Sequence, residues 1–146
     1  MNKQHLKISK KAKEMYVAVN AMRSDLTKVV AKHFDNSFVN EGFTYNSLMK
    51  WRERKRPDRY KHKILQKSGK LRRSIKSKVF TTKNGFEIRF KSNLPYAQIH
   101  NEGLTGLAWG KHSFKMPKRQ FMGYSRVLDL RIKKMFDRKI KKIFYK

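Results

Sequence analysis

The hydrophobic positions over the first 34 residues repeat with the period of an α-helix. Their spacings of three and four residues form one stripe, which predicts an amphipathic helix over residues 1–34. Two roles for this stripe stay open: it faces the core of the chain, or it docks against a partner in a ring. The stripe consists of Ala12, Met15, Tyr16, Val19, Met22, Leu26, Val29, Val30 and His33.

A second helical pattern covers residues 125–146, where Ser125 is suited to cap the start of the helix. Leu128, Ile132 and Phe136 belong to its apolar stripe, and basic residues crowd the remaining surface. Favourable interaction with the helix dipole accounts for two or three basic residues near a helix end, which is fewer than are present. The density predicts a surface that faces DNA or an acidic protein, with Arg131, Lys133, Lys134, Arg138, Lys141 and Lys142 as candidates.

A β-hairpin is predicted between the two helices. The pair Asn84-Gly85 is favoured in two-residue type I′ turns. A turn centred on this pair places Thr81 opposite Ile88, and it places Val79 opposite Phe90. The apolar residues of both strands then share one face, as a half-buried antiparallel pair requires.

Other segments carry weaker local signals. Residues 35–70 are predicted to be mainly loop, because Asn, Gly and Pro punctuate them. Trp51 precedes a basic run at residues 52–56, the basic flange; either the tryptophan is buried and anchors the loop, or the flange is a mobile arm. A short helical turn over 96–102 ended by Gly103, a flexible loop over 104–116 and an extended segment over 117–121 are also predicted. The partner-facing candidates of the flange are Arg52, Arg54, Lys55 and Arg56.

These elements predict an α+β fold class with a long N-terminal helix, a small antiparallel sheet with an Asn-Gly hairpin, and a C-terminal amphipathic helix. A length of 146 residues fits a single domain. We divide it into a helix at 1–34, a basic loop region at 35–70, a sheet with loops at 71–124, and a basic helix at 125–146.

The charge narrows the choice of partners. There are 38 Lys and Arg residues against 10 Asp and Glu residues, which gives a formal net charge of +28. Such an excess repels itself in a free monomer and indicates a polyanionic or acidic partner. The chain has no cysteine, which excludes disulfides and thiolate metal sites. No apolar run approaches the roughly 18 residues of a membrane span, so no membrane partner is expected.

Catalytic chemistry has little support in the sequence. The acids form no close pair of the kind that metal-dependent nucleases often use, and the five histidines include no i, i+4 pair. The tripeptide His100-Asn101-Glu102 invites comparison with nuclease motifs, but no second half follows it. No glycine loop is placed to bind phosphate. We therefore predict no enzymatic activity, no metal and no cofactor.

Three segments stand out in order along the second half of the chain: residues 64–75 (ILQKSGKLRRSI), residues 94–103 (LPYAQIHNEG) and residues 116–125 (MPKRQFMGYS). In this order they resemble three motifs of the phage virion morphogenesis family, the tail-completion proteins of Mu-like tailed bacteriophages. A terminal helix follows in both. The high charge and the Trp-Gly-Lys-His stretch after Gly103 depart from the family pattern.

The resemblance implies a small protein with helices around an antiparallel sheet, and it singles out the motif residues. We expect Leu71, Ile75 and Phe121 in the core, and glycines at tight turns. His100 is expected to be a hydrogen-bonded structural histidine, and Arg119 to pair with a carboxylate of a partner or of Glu102. The full set is Gly69, Leu71, Ser74, Ile75, Pro95, Tyr96, Ala97, His100, Gly103, Pro117, Arg119, Phe121 and Gly123.

The function that the resemblance implies is structural. The chain is expected to act in the virion, in tail completion or as a ring component of the head–tail connector or neck. Six-fold closure is favoured and twelve-fold closure is the alternative, with portal, connector or tail proteins as neighbours and packaged DNA in the lumen. The competing interpretation is a monomeric basic nucleic-acid-binding protein, and a nuclease is the third.

Overall fold

The computed structural model describes residues 3–83, 85–108 and 110–145, and within them it confirms the α+β class. The long N-terminal helix, antiparallel strand pairs and C-terminal helix are all present. The elements in chain order are α1 (Lys3–Val39), β1 (Gly42–Thr44), β2 (Leu48–Lys50), α2 (Lys70–Ser74), β3 (Lys76–Thr82), β4 (Gly85–Lys91), α3 (Tyr96–Glu102), β5 (Thr105–Ala108), β6 (His112–Lys115) and α4 (Arg126–Phe144).

Helix α1 continues five residues beyond its predicted end. Phe34 and Phe38 lie four residues apart on one face, and both are buried. Burial of these two rings outweighs the turn preference of Asn36 and Ser37, so the helix continues to Val39. It ends where Glu41 takes a left-handed conformation, with φ of 50°.

Helix α4 begins as predicted and runs antiparallel to α1. The Ser125 hydroxyl accepts a hydrogen bond from the Leu128 amide at 3.2 Å, which caps the helix. Leu128 packs in one cluster with Phe34, near the end of α1. At the other end of α4, the Lys11 ammonium lies 5.2 Å from the ring centre of Phe144. The two helices therefore lie side by side and run in opposite directions.

The strands form three separate antiparallel pairs, β1–β2, β3–β4 and β5–β6, instead of one small sheet. Two of these pairs correct the prediction, because β1–β2 lies in the segment expected to be loop and β5–β6 in the segment expected to be flexible. Phe43 of β1 is buried beside Phe34, which explains why this short strand forms. The predicted extended segment at 117–121 forms no strand.

The central hairpin forms, but its register differs from the predicted one by two residues. Val79 pairs with Ile88 instead of with Phe90. Since side chains alternate with a period of two, the apolar residues still share a face. Strand β4 begins at Gly85, and Asn84 of the predicted turn lies outside the described residues. Packing of β4 on α1 accounts for the difference: the Phe90 ring meets a ring of α1, Phe34, at 5.3 Å.

One cluster of buried side chains, here called the motif core, joins distant parts of the chain. It consists of Phe38, Trp51, Ile64, Leu71, Ala97 and Phe121. Members come from α1, the loop after β2, α2, α3 and the segment before α4. The Phe38 ring lies 5.2 Å from that of Phe121 and 5.7 Å from that of Trp51. The three family-like motifs therefore meet around one aromatic centre.

Candidate functional site

Trp51 fastens the basic flange to the third motif. Its side chain is buried, and its indole N–H donates to the carbonyl of Gln120 at 2.7 Å. The sequence left open whether this tryptophan anchors the loop or the flange is a mobile arm. In the structure the tryptophan is an anchor, because both its ring and its polar nitrogen are occupied.

Hydrogen bonds to backbone groups hold the second and third motifs together. The Asn101 side-chain oxygen accepts from the amides of Phe121 at 2.9 Å and Met122 at 3.0 Å. The Arg119 amide donates to the carbonyl of His100 at 2.8 Å. Sequence analysis named Asn101 only in the tripeptide compared with nuclease motifs, and it missed this structural role, because Asn101 occupies an unspecified position of the motif. The position of Asn101 next to His100, in a predicted helix turn, was the available signal.

Gly103 ends α3 where the two motifs approach most closely. It has φ of 73°, and a Cβ added there would lie 2.9 Å from the Lys118 backbone. Both the left-handed conformation and the close approach favour glycine. The predicted tight turn is present at this position.

Arg119 is 7% exposed and has a different partner from the predicted carboxylate. Its Nε and Nη2 donate to the carbonyl of Arg52 at 3.2 and 3.0 Å. Glu102 instead accepts from the amide of Gln98 at 3.3 Å. The expectation of an internal ion pair with Glu102 is therefore wrong, because the guanidinium is drawn to a backbone oxygen of the flange. Burial lowers the pKa of Arg119, and the charges of Arg54 and Arg52 lower it further.

His100 shares a face with Tyr96, and the two rings meet edge to face at 6.1 Å. Its Nδ1 is buried and has no hydrogen-bond partner among the described residues, so the predicted hydrogen bond is not formed at this atom. Burial lowers the pKa of His100, and the charge of Arg119 lowers it further. The ring is thus held neutral within a basic environment.

The first motif brings α2 onto the motif core. Leu71 is buried there and Ile75 packs against it. The Ser74 hydroxyl lies 2.6 Å from that of Ser92, which ties the end of α2 to the end of β4. Gly69, with φ of 67°, precedes the helix in a left-handed conformation.

The other motif residues also have structural positions. Pro95, with φ of −62°, precedes the first turn of α3, and Ala97 of that turn is buried. Phe121 is fully buried. Gly123 has φ of 143°. Pro117 is half-buried beside Lys118 in the segment after β6.

The basic flange is folded against the loop that follows it. Arg54 donates to the carbonyls of His62 at 2.7 Å and Lys63 at 2.8 Å. The side chains of Arg52, Lys55 and Arg56 are exposed. Facing the flange is the segment after β6, and together they line a groove of about 880 Å³, here called the flange groove. Its lining residues are Arg52, Glu53, Arg54, Lys55, Glu102, Gly103, Lys115, Met116, Pro117, Lys118 and Arg119.

The basic residues of α4 form a second surface that shares no lining residue with the flange groove. Arg138, Lys141 and Lys142 line a groove of about 310 Å³ between α4 and α1, together with Met22 and Met135. The other candidates, Arg131, Lys133 and Lys134, are exposed along the same helix, and the Lys133 ammonium lies 3.1 Å from the Asp129 carboxylate. The structure thus leaves the two predicted basic surfaces apart.

Comparison with protein families matches residues 4–141 to the phage virion morphogenesis family. The chain belongs to this family. Membership assigns it a role in the assembly of a phage virion, and the matched span includes the motif core, the flange groove and most of α4. Comparisons with curated proteins and with solved structures found no match. In the described part of the chain, no helix has the length and apolar character needed to cross a bilayer.

Proposed function

We propose that this chain is a non-enzymatic structural protein of a tailed phage, which completes the tail or forms part of a neck ring at the head–tail junction. The proposal is supported by what the residues of the family motifs contact. Their side chains pack in the motif core or bind backbone groups: Asn101 of the second motif accepts from an amide of the third, and Arg119 of the third motif donates to a carbonyl of the flange. Trp51, just before the flange, donates to a carbonyl of the third motif. Residues with such contacts stabilise the fold of the subunit. The surfaces that these contacts leave free are then available to bind other components of the virion.

Subunit contacts are supported by the two helix ends that extend from the core, here called the helical arm (residues 10–21 and 136–145). Every residue from 10 to 17 is exposed, including Tyr16 at 69% and Val17 at 66%. Tyr145, which caps the C-terminal end of the other helix, is 84% exposed. Neighbouring exposed apolar side chains of this size mark interaction surfaces. Head-to-tail contacts through such a surface close a ring, and we favour six-fold closure over twelve-fold.

The net charge of +28 supplies a control on assembly. Equally charged subunits repel one another until an acidic neighbour or DNA neutralises them. Neighbouring portal, connector or tail proteins and packaged DNA are the partners that fit this requirement. Association should therefore strengthen as salt screens the repulsion.

Light scattering after size-exclusion chromatography, over a range of salt concentrations, tests the proposal. We expect a salt-dependent increase in mass, which Tyr16→Ser abolishes. Tyr60→Ser is the matched control, because Tyr60 is also 69% exposed but lies outside the helical arm. A monomer at every salt concentration, with and without DNA, contradicts ring formation. Electron microscopy of the intact particle then places the chain in the tail or neck.

The second candidate function is that of a monomeric nucleic-acid-binding protein, and the flange groove favours it. Its cations lie together on a surface that the motif core does not use. A persistent monomer that coats DNA stoichiometrically supports this candidate over the ring.

A further inference from the structure

The flange groove concentrates positive charge between two segments that are distant in sequence. It extends over about 880 Å³. Its lining has two carboxylates, Glu53 and Glu102. Among the described residues, neither lies within 4 Å of a lysine or arginine nitrogen, so neither neutralises the groove through an ion pair. The six cationic residues of the lining are Arg52, Arg54, Lys55, Lys115, Lys118 and Arg119.

Arg119 forms part of the groove lining and has hydrogen-bonding capacity left over. Nε and Nη2 share a single acceptor, the carbonyl of Arg52. Among the described residues, the acceptor within reach of Nη1 is the Met116 sulfur, at 3.9 Å, and a thioether is a weak acceptor. A guanidinium offers five N–H donors in a rigid fork. A side chain that is 93% buried therefore presents donors to the groove without an oxygen to receive them.

The groove is also a place where like charges crowd together. Burial is the main cause that lowers the pKa of Arg119, and the like charges of Arg54 and Arg52 lower it further. A buried cation without an acid partner is destabilised unless an anion compensates it. An oxyanion bound in the groove would accept from the free donors and reduce the repulsion at once.

We propose that the flange groove binds phosphate groups of a nucleic-acid backbone. A protein partner is the weaker fit, because protein interfaces are centred on aromatic and other large apolar side chains, and the described lining residues include two apolar side chains, Met116 and Pro117. None of the described lining residues is aromatic, so they offer no platform for base stacking. Contact with successive phosphates needs only spaced cations, and it is independent of sequence.

The inference rests on the proposed function for its setting beside packaged DNA, but its test uses the isolated full-length chain and does not need a ring. Binding of a short mixed-sequence DNA duplex is measured by fluorescence anisotropy over a range of salt concentrations. The groove variant carries Arg52→Gln, Lys55→Gln and Lys118→Gln. The side chains of these three residues are exposed, so the fold should tolerate the changes. Thermal melting checks this.

The matched control removes the same charge outside the flange groove and the helical arm, through Lys28→Gln, Lys32→Gln and Lys91→Gln, which are also exposed. We expect the groove variant to bind DNA roughly ten-fold or more weakly than the parent at low salt. The slope of log K against log salt should fall by about 0.9 for each phosphate that the variant no longer neutralises. The control should change much less on both measures, although its net charge is the same.

Equal reductions in the two variants would show that net charge alone drives binding, and would overturn the proposal. So would unchanged binding in the groove variant. Poly-glutamate is the second probe: groove-dependent binding of poly-glutamate without binding of DNA would assign the groove to an acidic protein and overturn the proposal. Mass measured by light scattering in the same samples reports on ring formation separately, so failure of one hypothesis is distinguishable from failure of the other.

Discussion

The motif core and the helical arm are built from different kinds of contact. Around the motif core, hydrogen bonds such as those from Trp51 to Gln120 and from Arg119 to Arg52 join positions 67 to 69 residues apart in sequence. In the helical arm, residues 10–17 are all exposed, and Lys11 meets Phe144 through one cation–π contact. The core is complete within one chain, whereas the arm leaves large apolar side chains in water.

This difference separates the residues that determine the stability of the subunit from those that determine its assembly. The motif residues contact one another within one chain, so substituting them should destabilise the isolated subunit. Substitution of arm side chains should matter little when the chain is alone, because they have few partners there. The same substitutions should weaken the association between copies of the chain.

Phe121→Ala should destabilise the subunit by about 3–5 kcal/mol, because it removes a fully buried ring and leaves a cavity beside Phe38. The arm counterpart, Tyr16→Ala, should change the free energy of unfolding by no more than about 0.5 kcal/mol. Urea denaturation at a fixed protein concentration measures both. Comparable destabilisation in the two variants would remove the distinction between core and arm.

Asn101→Ala should cost about 1–3 kcal/mol for each amide that it leaves without an acceptor, those of Phe121 and Met122. The control is Asn93→Ala, since Asn93 is exposed in the loop after β4. It should lie within about 0.5 kcal/mol of the parent. Denaturant midpoints of the two variants check the difference. If Asn101→Ala unfolds at the same midpoint as Asn93→Ala, the motifs are not held together by this side chain.

The helices and the motif order were predictable because their signals are local. The stripe of α1 and the Ser125 cap are read from spacing and residue type, and both are in the structure. The end of α1 was not predictable in the same way. Asn36 and Ser37 favour a turn, and only packing against distant rings continues the helix to Val39.

Pairings between segments distant in sequence could not be predicted, because no local pattern encodes them. The hairpin was predicted, yet its register depends on Phe90 meeting α1, which no turn rule includes. The carboxylate expected for Arg119 was chosen from residue type, whereas the structure uses the carbonyl of Arg52, an acceptor that every sequence position has. Backbone acceptors carry no residue signature, so this partner could not be predicted from the chain.

Gly103→Ala should destabilise more than Gly110→Ala, and the difference isolates the close approach of two motifs. Both glycines have positive φ, 73° and 70°, so an alanine at either position costs about 1–2 kcal/mol from the left-handed conformation alone. At Gly103 the new Cβ would also lie 2.9 Å from the Lys118 backbone, whereas at Gly110 it meets nothing within 4 Å. Denaturant midpoints of the two variants give the comparison. Equal destabilisation would show that the backbone at Lys118 relaxes freely.

The smallest expected effect is a decrease in stability on mild acidification, carried by two half-buried histidines, His33 and His100. Burial is the main cause that lowers the pKa of both His33 and His100 below 6.5; Arg131 adds to it at His33, where a Thr44 backbone hydrogen bond opposes it, and Arg119 adds to it at His100. The unfolded chain therefore binds more protons just below this pH, so stability is full above pH 6.5 and falls as the pH decreases.

Urea midpoints measured from about pH 8 to about pH 5 report this decrease before most carboxylates titrate. Asp58 and Glu87 have pKa values lowered from 3.8 and 4.5, chiefly by hydrogen bonds from His62 and Arg89, so their contribution disappears only at lower pH. His100→Gln should remove the part of the pH dependence that comes from the ring beside Tyr96, and His33→Gln the part that comes from the ring beside Phe34 and Phe43. If the midpoint in the double variant still falls as steeply as in the parent, neither buried ring is the source.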